Sequence, residues 1–304
     1  MRIVFIGAVD FSRHCLLEII KHSGHIVGVI TLERRFAAFN SDFADLSEVA
    51  EAHRIPTYKI HKVADPDVIA LLRSLMPDII FVFGWSQLLP RDILEIPPKG
   101  CIGTHPALLP RNRGRHPLIW ALVEGLQESG MTFFYIDEGA DSGDILWQKA
   151  FPITLEDDAG TLYQKIKDLA SEAIPVFLDQ FKRGTAPRIP QDHSQATYWR
   201  KRGEKDGEIH WSASGLGTYN LVRALTHPYV GAHTYWGDHK IIIWKSRLEE
   251  TPGDLRGHGI KPGTVVERGP DGLRVSTGDG SLTLLDFNVD GNAEVPVGVV
   301  LGRD

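Results

Sequence analysis

Within its first 83 residues the chain alternates short apolar runs with stretches that are apolar at helical spacing, and this alternation admits few folds. Ile3 to Ile6 is a strand-length run ending at Gly7, Phe11 to Lys21 has helical spacing, and Val27 to Thr31 is a second strand. A β-α-β opening implies a parallel sheet with right-handed crossovers, because parallel neighbours cannot be joined by a tight hairpin. Asp45 to His53 and Asp65 to Ser74 read as helices, Thr57 to Ile60 and Asp78 to Phe83 as strands, and Glu33 to Ala44 as irregular. The first turn, Gly7 to Ser12, lacks the GxGxxG phosphate fingerprint, so no dinucleotide site is expected there.

Beyond this opening, Gly84 to Pro90 is a loop at the carboxyl end of a strand, where open α/β sheets bind ligands. Trp85 either walls a pocket there or covers the core. Cys101 to Pro117 reads CIGTHPALLPRNRGRHP, and prolines at 106, 110 and 117 make most of it a held loop after the apolar entry Cys101-Ile102. His105 stands where that entry gives way to the loop, biased to extended backbone by Pro106. A side chain that titrates near neutrality suits an active site at such a place, or it caps a turn. Leu118 to Glu124 reads as a helix, Gly130 to Ile136 and Ile145 to Phe151 as strands, and Gly160 to Lys182 as a long helix.

Between those strands, Asp137 to Asp144 holds three aspartates, a glutamate and two glycines. A solvated turn has this composition, and the DxDxDG spacing of a calcium loop is absent. His105 and Asp141 each lie just past a strand of the expected parallel sheet, which would bring both to one sheet edge. A carboxylate there fixes an imidazole's tautomer and supports its cation. The chain has no GxSxG elbow, no metal-ligand cluster and only Cys15 and Cys101, so acid–base transfer is favoured over covalent or metal chemistry.

Pro187 to Asp206 reads as a linker, dividing a catalytic domain at 1–186 from a small C-terminal domain at 207–304. In the latter, a helix at Ser214 to Leu225 precedes strands at His233 to Trp236, Lys240 to Trp244, Gly263 to Glu267, Leu273 to Thr277 and Ser281 to Phe287. Five short strands with glycine turns suggest a small β-barrel or sandwich. A chain of 304 residues is long enough for a large and a small domain. The net charge of −6 argues against a general nucleic-acid or anionic-membrane surface. No run approaches 18 apolar residues and the start leads straight into a strand, so a cytoplasmic protein with no membrane partner is expected.

HPALLP and RGRHP within 101–117, together with GADSGDIL at 139–146, resemble the formyltransferases that use 10-formyltetrahydrofolate. The segment from Asn220 to Tyr229, then Gly231-Ala232, resembles the appended barrel of methionyl-tRNA and sugar-amine formyltransferases. The resemblance implies a Rossmann-like, mostly parallel α/β domain with a small OB-like β-barrel. It implies that an acceptor amine attacks the formyl carbon through a tetrahedral oxyanion. His105 takes the role of the family histidine and Asp141 that of the aspartate. The family asparagine falls at Gly103, and losing such an oxyanion donor costs on the order of 10²–10³ in rate. Folate is implied along Phe83 to Leu89, with Trp85, Leu88 and Leu89 packing on it, Leu108 and Leu109 as apolar wall and Ala140 at the border. Arg113 and Arg115 either meet an acceptor phosphate or folate carboxylate, or form ion pairs that hold the loop.

The tRNA-directed members carry a basic insertion after the second strand. Here Leu32 to Glu51 sets Arg34 and Arg35 against Glu33, Asp42, Asp45, Glu48 and Glu51, a poor match to a phosphate backbone. The stretch Asn40 to Ser47 resembles the sugar N-formyltransferases instead. An amino sugar, nucleotide-linked, is therefore the expected acceptor, with Tyr135, Tyr198 and Trp199 as candidate stacking partners. Methionyl-tRNA formylation and an inactive folate-binding relative are the alternatives, and a homodimer is compatible with the sequence.

Overall fold

The computed structural model describes residues 1–22, 24–36, 41–249 and 259–303. Asn40, the first residue of the amino-sugar-like stretch, lies outside them, as does part of the irregular segment before it. The chain forms two compact units, one from Met1–Pro117, Glu128–Pro152 and Tyr163–Trp199, the other from Leu118–Gln127, Ile153–Leu162 and the residues from Arg200 onward.

The elements in chain order begin with β1 (Arg2–Ile6), α1 (Asp10–Lys21), β2 (His25–Leu32), α2 (Ser47–Ala52), β3 (Thr57–Ile60), α3 (Pro66–Ser74), β4 (Ile79–Val82) and α4 (Arg91–Leu94). There follow β5 (Cys101–His105), β6 (Arg113–Gly114), α5 (Pro117–Val123), β7 (Glu128–Tyr135), β8 (Ile145–Pro152), α6 (Ala159–Arg183) and β9 (Tyr198–Trp199). Seven strands make one sheet in the order β3-β2-β1-β4-β5-β7-β8. The first five are parallel, as the β-α-β opening requires. Strand order reverses between β1 and β4, the position where open sheets of this type leave a crevice. Ser12, buried at the start of α1, fastens that crevice: its hydroxyl donates to Phe83 O at 2.6 Å and accepts from the Ala8 and Val9 N–H groups.

One face of the sheet buries Val4, Ile6, Ile30, Ile80 and Val82 against Val68 and Leu72 of α3 and Ile93 of α4. Elsewhere in this unit an aromatic cluster joins Phe5, Phe81, Phe83 and Phe133 to Phe177 and Phe181 of α6. Helical spacing sets that contact, because Ile166, Ala170, Ala173 and Phe177 recur on one stripe of α6 and are all buried.

The expectation that His105 and Asp141 share a parallel edge is corrected. β7 runs antiparallel to β5; β8 in turn runs antiparallel to β7, because the residues between those two form a hairpin loop too short for a crossover. The loop itself carries Asp141 to His105. The Ile136 N–H donates to Cys101 O at 2.8 Å, and a Cβ on Gly103 would lie 2.9 Å from Ile136 Cγ1 and 3.1 Å from Phe134 Cζ. The missing side chain at 103 is what lets the loop lie against β5.

In the second unit, α7 (Gly215–Leu225) is capped by Ser214, whose hydroxyl accepts from the Gly217 N–H. Strands β10 (Ala232–Trp236), β11 (His239–Leu248), β12 (Val265–Gly269), β13 (Gly272–Ser276) and β14 (Ser281–Val289) form an antiparallel sheet in the order β10-β11-β14-β13-β12. The terminal segment runs between its two edges: the Leu301 N–H donates to Gly263 O beside β12 and the Gly302 N–H to Tyr235 O in β10, each at 2.8 Å. These bonds link the two edges of the sheet, and Trp211, Ile241, Ile243, Val275 and Leu284 are buried in this unit.

Candidate active site

β5 ends at His105, 4% exposed, with its imidazole held at both nitrogens. Nε2 lies 2.7 Å from Asn112 O, and a carbonyl can only accept, so Nε2 carries the proton. Nδ1 faces Asp141 Oδ2 at 3.5 Å. In the neutral ring Nδ1 is therefore the open acceptor, and a proton arriving there meets a carboxylate. This is the arrangement a general base needs.

Asp141 is fixed in turn. The Gly114 N–H donates to Oδ2 at 2.9 Å. Gly114 has φ +106°, and a Cβ there would lie 2.3 Å from Trp199 O, so glycine is required where β6 pairs with β9. Asp141 itself has φ +53°, a left-handed conformation that costs a non-glycine residue on the order of 1 kcal/mol and persists only where neighbours enforce it. Gln191 enforces it, donating to Asp141 O at 3.0 Å and Gly143 O at 2.6 Å.

Arg113, only 2% exposed, faces inward. Its guanidinium donates to Tyr198 Oη at 2.9 Å and Gln191 Oε1 at 2.7 Å, and lies 3.1 Å from His193 Nδ1. As placed, it holds the loop and is not presented to a ligand phosphate. Arg115 is exposed and donates to Ser86 O at 2.8 Å, tying the two loops together. Of the candidate stacking rings, Tyr135 is buried beneath the Arg188 guanidinium, and Tyr198 is exposed but engaged through its hydroxyl.

The residues read as folate-lining are spread more widely. Phe83 is wholly buried in the aromatic cluster, which leaves its main chain to serve the loop. Leu89 and Leu109 are buried, Leu108 is half-buried against Gly130, and Leu88 and Ala140 are exposed. Trp85 Nε1 is buried without a hydrogen-bond partner, an orphan donor of the kind a ligand satisfies. The recess lined by Ala8, Leu32, Gly84, Trp85, Ser86 and Gln87 has a volume of about 10 Å³, room for one water. As it stands, this recess has no room for a bicyclic ring. Burial pushes the Cys101 thiol up to about 12 and Cys15 well above the ordinary range, so neither is a thiolate nucleophile. Among the described residues no cluster of His, Cys, Asp or Glu could hold a metal ion, and no helix is long and apolar enough to cross a membrane.

The chain is similar to known proteins over its whole length. Residues 1–178 match the family described as "Formyl transferase" and residues 202–301 "Formyl transferase, C-terminal domain". The methionyl-tRNA formyltransferase of Pelotomaculum thermopropionicum is 32% identical over 316 residues, covering all of this chain and 99% of its own. That of Geotalea daltonii is 33% identical over 300 residues, covering 98% and 94%. A sugar 3N-formyl transferase solved with dTDP and 5-N-formyl-THF superposes with a TM-score of 0.66 at 19% identity, covering 94% of this chain and 97% of that one; at this identity the likeness speaks to the fold. The chain belongs to the formyl transferase family. It is a transferase of formyl groups, matching the family over 1–178 and its C-terminal domain over 202–301.

Proposed function

We propose that the chain transfers the formyl group of 10-formyltetrahydrofolate to a primary amine, with His105 and Asp141 as its acid–base pair and methionyl-tRNA as the acceptor. The chemistry rests on one observation, His105 Nδ1 placed 3.5 Å from Asp141 Oδ2 while Nε2 is held by Asn112 O. The folate supplies the formyl group. The amine nitrogen bonds to the formyl carbon and His105 Nδ1 takes the proton it loses; Asp141 stabilises the imidazolium until that proton passes to folate N10, as the C–N10 bond breaks and tetrahydrofolate leaves. The place of the family asparagine is filled by Ile136 and Phe134, so no side-chain donor reaches an oxyanion from position 103. An inactive folate binder has no need of a paired histidine and aspartate held this closely. On this reading residues 1–186, with the stretch up to Trp199 that packs in the same unit, carry the chemistry, and 207–304 form the appended domain.

The acceptor differs from the amino sugar that the sequence favours. Full-length relatives at 32–33% identity, named for methionyl-tRNA, support the alternative better. Charge is also a weaker objection than the composition of residues 33–51 suggests, because much of that negative charge is used internally. Glu33 pairs with Arg35 at 2.6 Å, Asp42 is half-buried and accepts from Tyr163 Oη at 2.7 Å, and Asp45 bonds Lys59 and Ser47. Burial alone would push the Asp45 carboxyl up, but those bonds hold it at about 2.

One observation keeps the amino sugar as a second reading. Arg34 and Arg35 are the only cations in that segment, and Arg35 is already paired. An acceptor screen with 10-formyltetrahydrofolate decides, following tetrahydrofolate release against charged initiator tRNA, free amino sugars and nucleotide-linked amino sugars. Formylation of methionyl-tRNA that weakens steeply with salt supports the first reading. Turnover confined to an amino sugar and indifferent to salt replaces it with the second.

A further inference from the structure

We infer that Gln191, in a proline-flanked segment that reads as a linker, is a positioning residue for the reaction: it holds Asp141 against His105. The inference rests on the reading of His105 and Asp141 as the acid–base pair.

Gln191 is 6% exposed, and every polar atom of its amide is committed. Nε2 donates to Asp141 O and Gly143 O at 3.0 and 2.6 Å, while Oε1 accepts from Arg113 Nη2 at 2.7 Å. Only one orientation of the amide works, because a flipped one would set its oxygen against two carbonyls and its NH₂ against a guanidinium. The two ends therefore do different work. The oxygen end anchors Gln191 to Arg113, which is itself tied to Tyr198 and His193. The nitrogen end grips the main chain on both sides of Ser142, where Asp141 holds φ +53°.

The residue after Arg113 completes the frame. The Gly114 N–H binds the Asp141 carboxylate, so main chain and side chain of Asp141 are fixed from one buried centre. Strand pairing locks that centre, because the Arg113 N–H donates to Thr197 O at 2.9 Å and the Arg115 N–H to Trp199 O at 3.2 Å. Without the Gln191 amide nitrogen nothing in this frame restrains the Asp141 carbonyl, and the backbone can leave its left-handed conformation. The carboxylate then moves away from Nδ1. A displacement of about 1 Å in a reacting constellation can cost about a hundredfold in rate.

Gln191→Glu separates the two ends. Its carboxylate still accepts from Arg113, and as a carboxylate it cannot donate to the two carbonyls. The experiment measures kcat and KM with 10-formyltetrahydrofolate and the amine of the acceptor screen that the parent formylates fastest. It uses Gln191→Glu, Asp141→Asn and the double variant, with thermal unfolding of each. We expect Gln191→Glu, whose second oxygen now faces two carbonyls, to unfold below the parent temperature but stay folded at the assay temperature, and to lose roughly tenfold or more in kcat, with KM for folate within about twofold. We expect the double variant to match Asp141→Asn, because a residue acting through Asp141 has nothing left to position. A parent-like kcat for Gln191→Glu, or losses that multiply in the double variant, overturns the inference and leaves the acid–base pair standing. Near-parent turnover of Asp141→Asn, or a parent that formylates no amine of the screen, removes that pair and the inference with it.

Discussion

Tyr163→Phe removes a single oxygen with two buried obligations. The Tyr163 hydroxyl accepts from the Phe11 N–H at 2.9 Å and donates to Asp42 Oδ2 at 2.7 Å, tying α6 to the start of α1 and to the segment after β2. A buried N–H left without a partner costs about 1–3 kcal/mol, and loss of a hydrogen bond to a charged group about 1.5–3 kcal/mol. Allowing for relaxation and the partial exposure of Asp42, the sum is about 2–4 kcal/mol. For a domain of this size that lowers Tm by about 5–10 °C. The penalty depends on pH. Burial holds the Asp42 carboxyl above the ordinary range, and the Tyr163 hydroxyl pulls it partly back, so the variant's carboxyl is raised further. A carboxyl raised on folding favours the fold below its unfolded pKa and loses that contribution as pH rises through the folded one. The gap between variant and parent therefore opens as pH rises through that window, and near pH 4 mainly the Phe11 share remains. Scanning calorimetry of both proteins from pH 4 to pH 8 measures this. A Tm within 1 °C of the parent at pH 7, or a gap that widens toward acid, would refute the reasoning.

Three further outcomes follow from the same geometry. Gly103→Asn, forced against Ile136 and Phe134, should destabilise the fold by about 1–3 kcal/mol, as overpacking does, and adding Ile136→Ala should recover part of that loss; unaltered denaturant midpoints would show that the loop gives way freely. If folate docks at the loop of Trp85, whose recess holds about one water, that indole moves, so its emission should shift on titration with 5-formyltetrahydrofolate and the shift should vanish in Trp85→Phe; an identical change in both proteins would place the ligand elsewhere. Arg113→Lys keeps the charge but cannot reach Tyr198, Gln191 and His193 together, so it should lower Tm by several degrees, with a loss of about 1–3 kcal/mol. Stability unchanged by Arg113→Lys would mean that the buried guanidinium is not what holds this loop.

How far the sequence carries depends on how local each feature is. The strands and helices up to β4 and the five strands of the second unit follow from periodicity and turn residues within windows of ten or so positions. His105 and Asp141 were legible as a pair from their chemistry, although the hairpin between β7 and β8, and not a parallel edge, brings them together. Features fixed by distant partners left no trace. β6 and β9 are two residues each, pair across some 85 positions, and carry no pattern of their own. Arg113 reads equally as an anion ligand or as a holder of the loop, because nothing in the loop announces Gln191, Tyr198 and His193 as its partners. Gln191 reads as linker because prolines at 187 and 190 signal irregular backbone, yet irregular backbone can be buried when its polar groups are paired. The charge of residues 33–51 misleads for the same reason, since composition counts carboxylates without showing which are already bonded.

The measurement closest to the central claim is the rate of formyl transfer from 10-formyltetrahydrofolate in His105→Ala and Asp141→Asn, each checked for a parent-like circular dichroism spectrum. If the imidazole of His105 and the carboxylate of Asp141 move the proton of the attacking amine, each folded variant loses at least about a hundredfold in turnover. Folded variants that turn over at near-parent rates would contradict it.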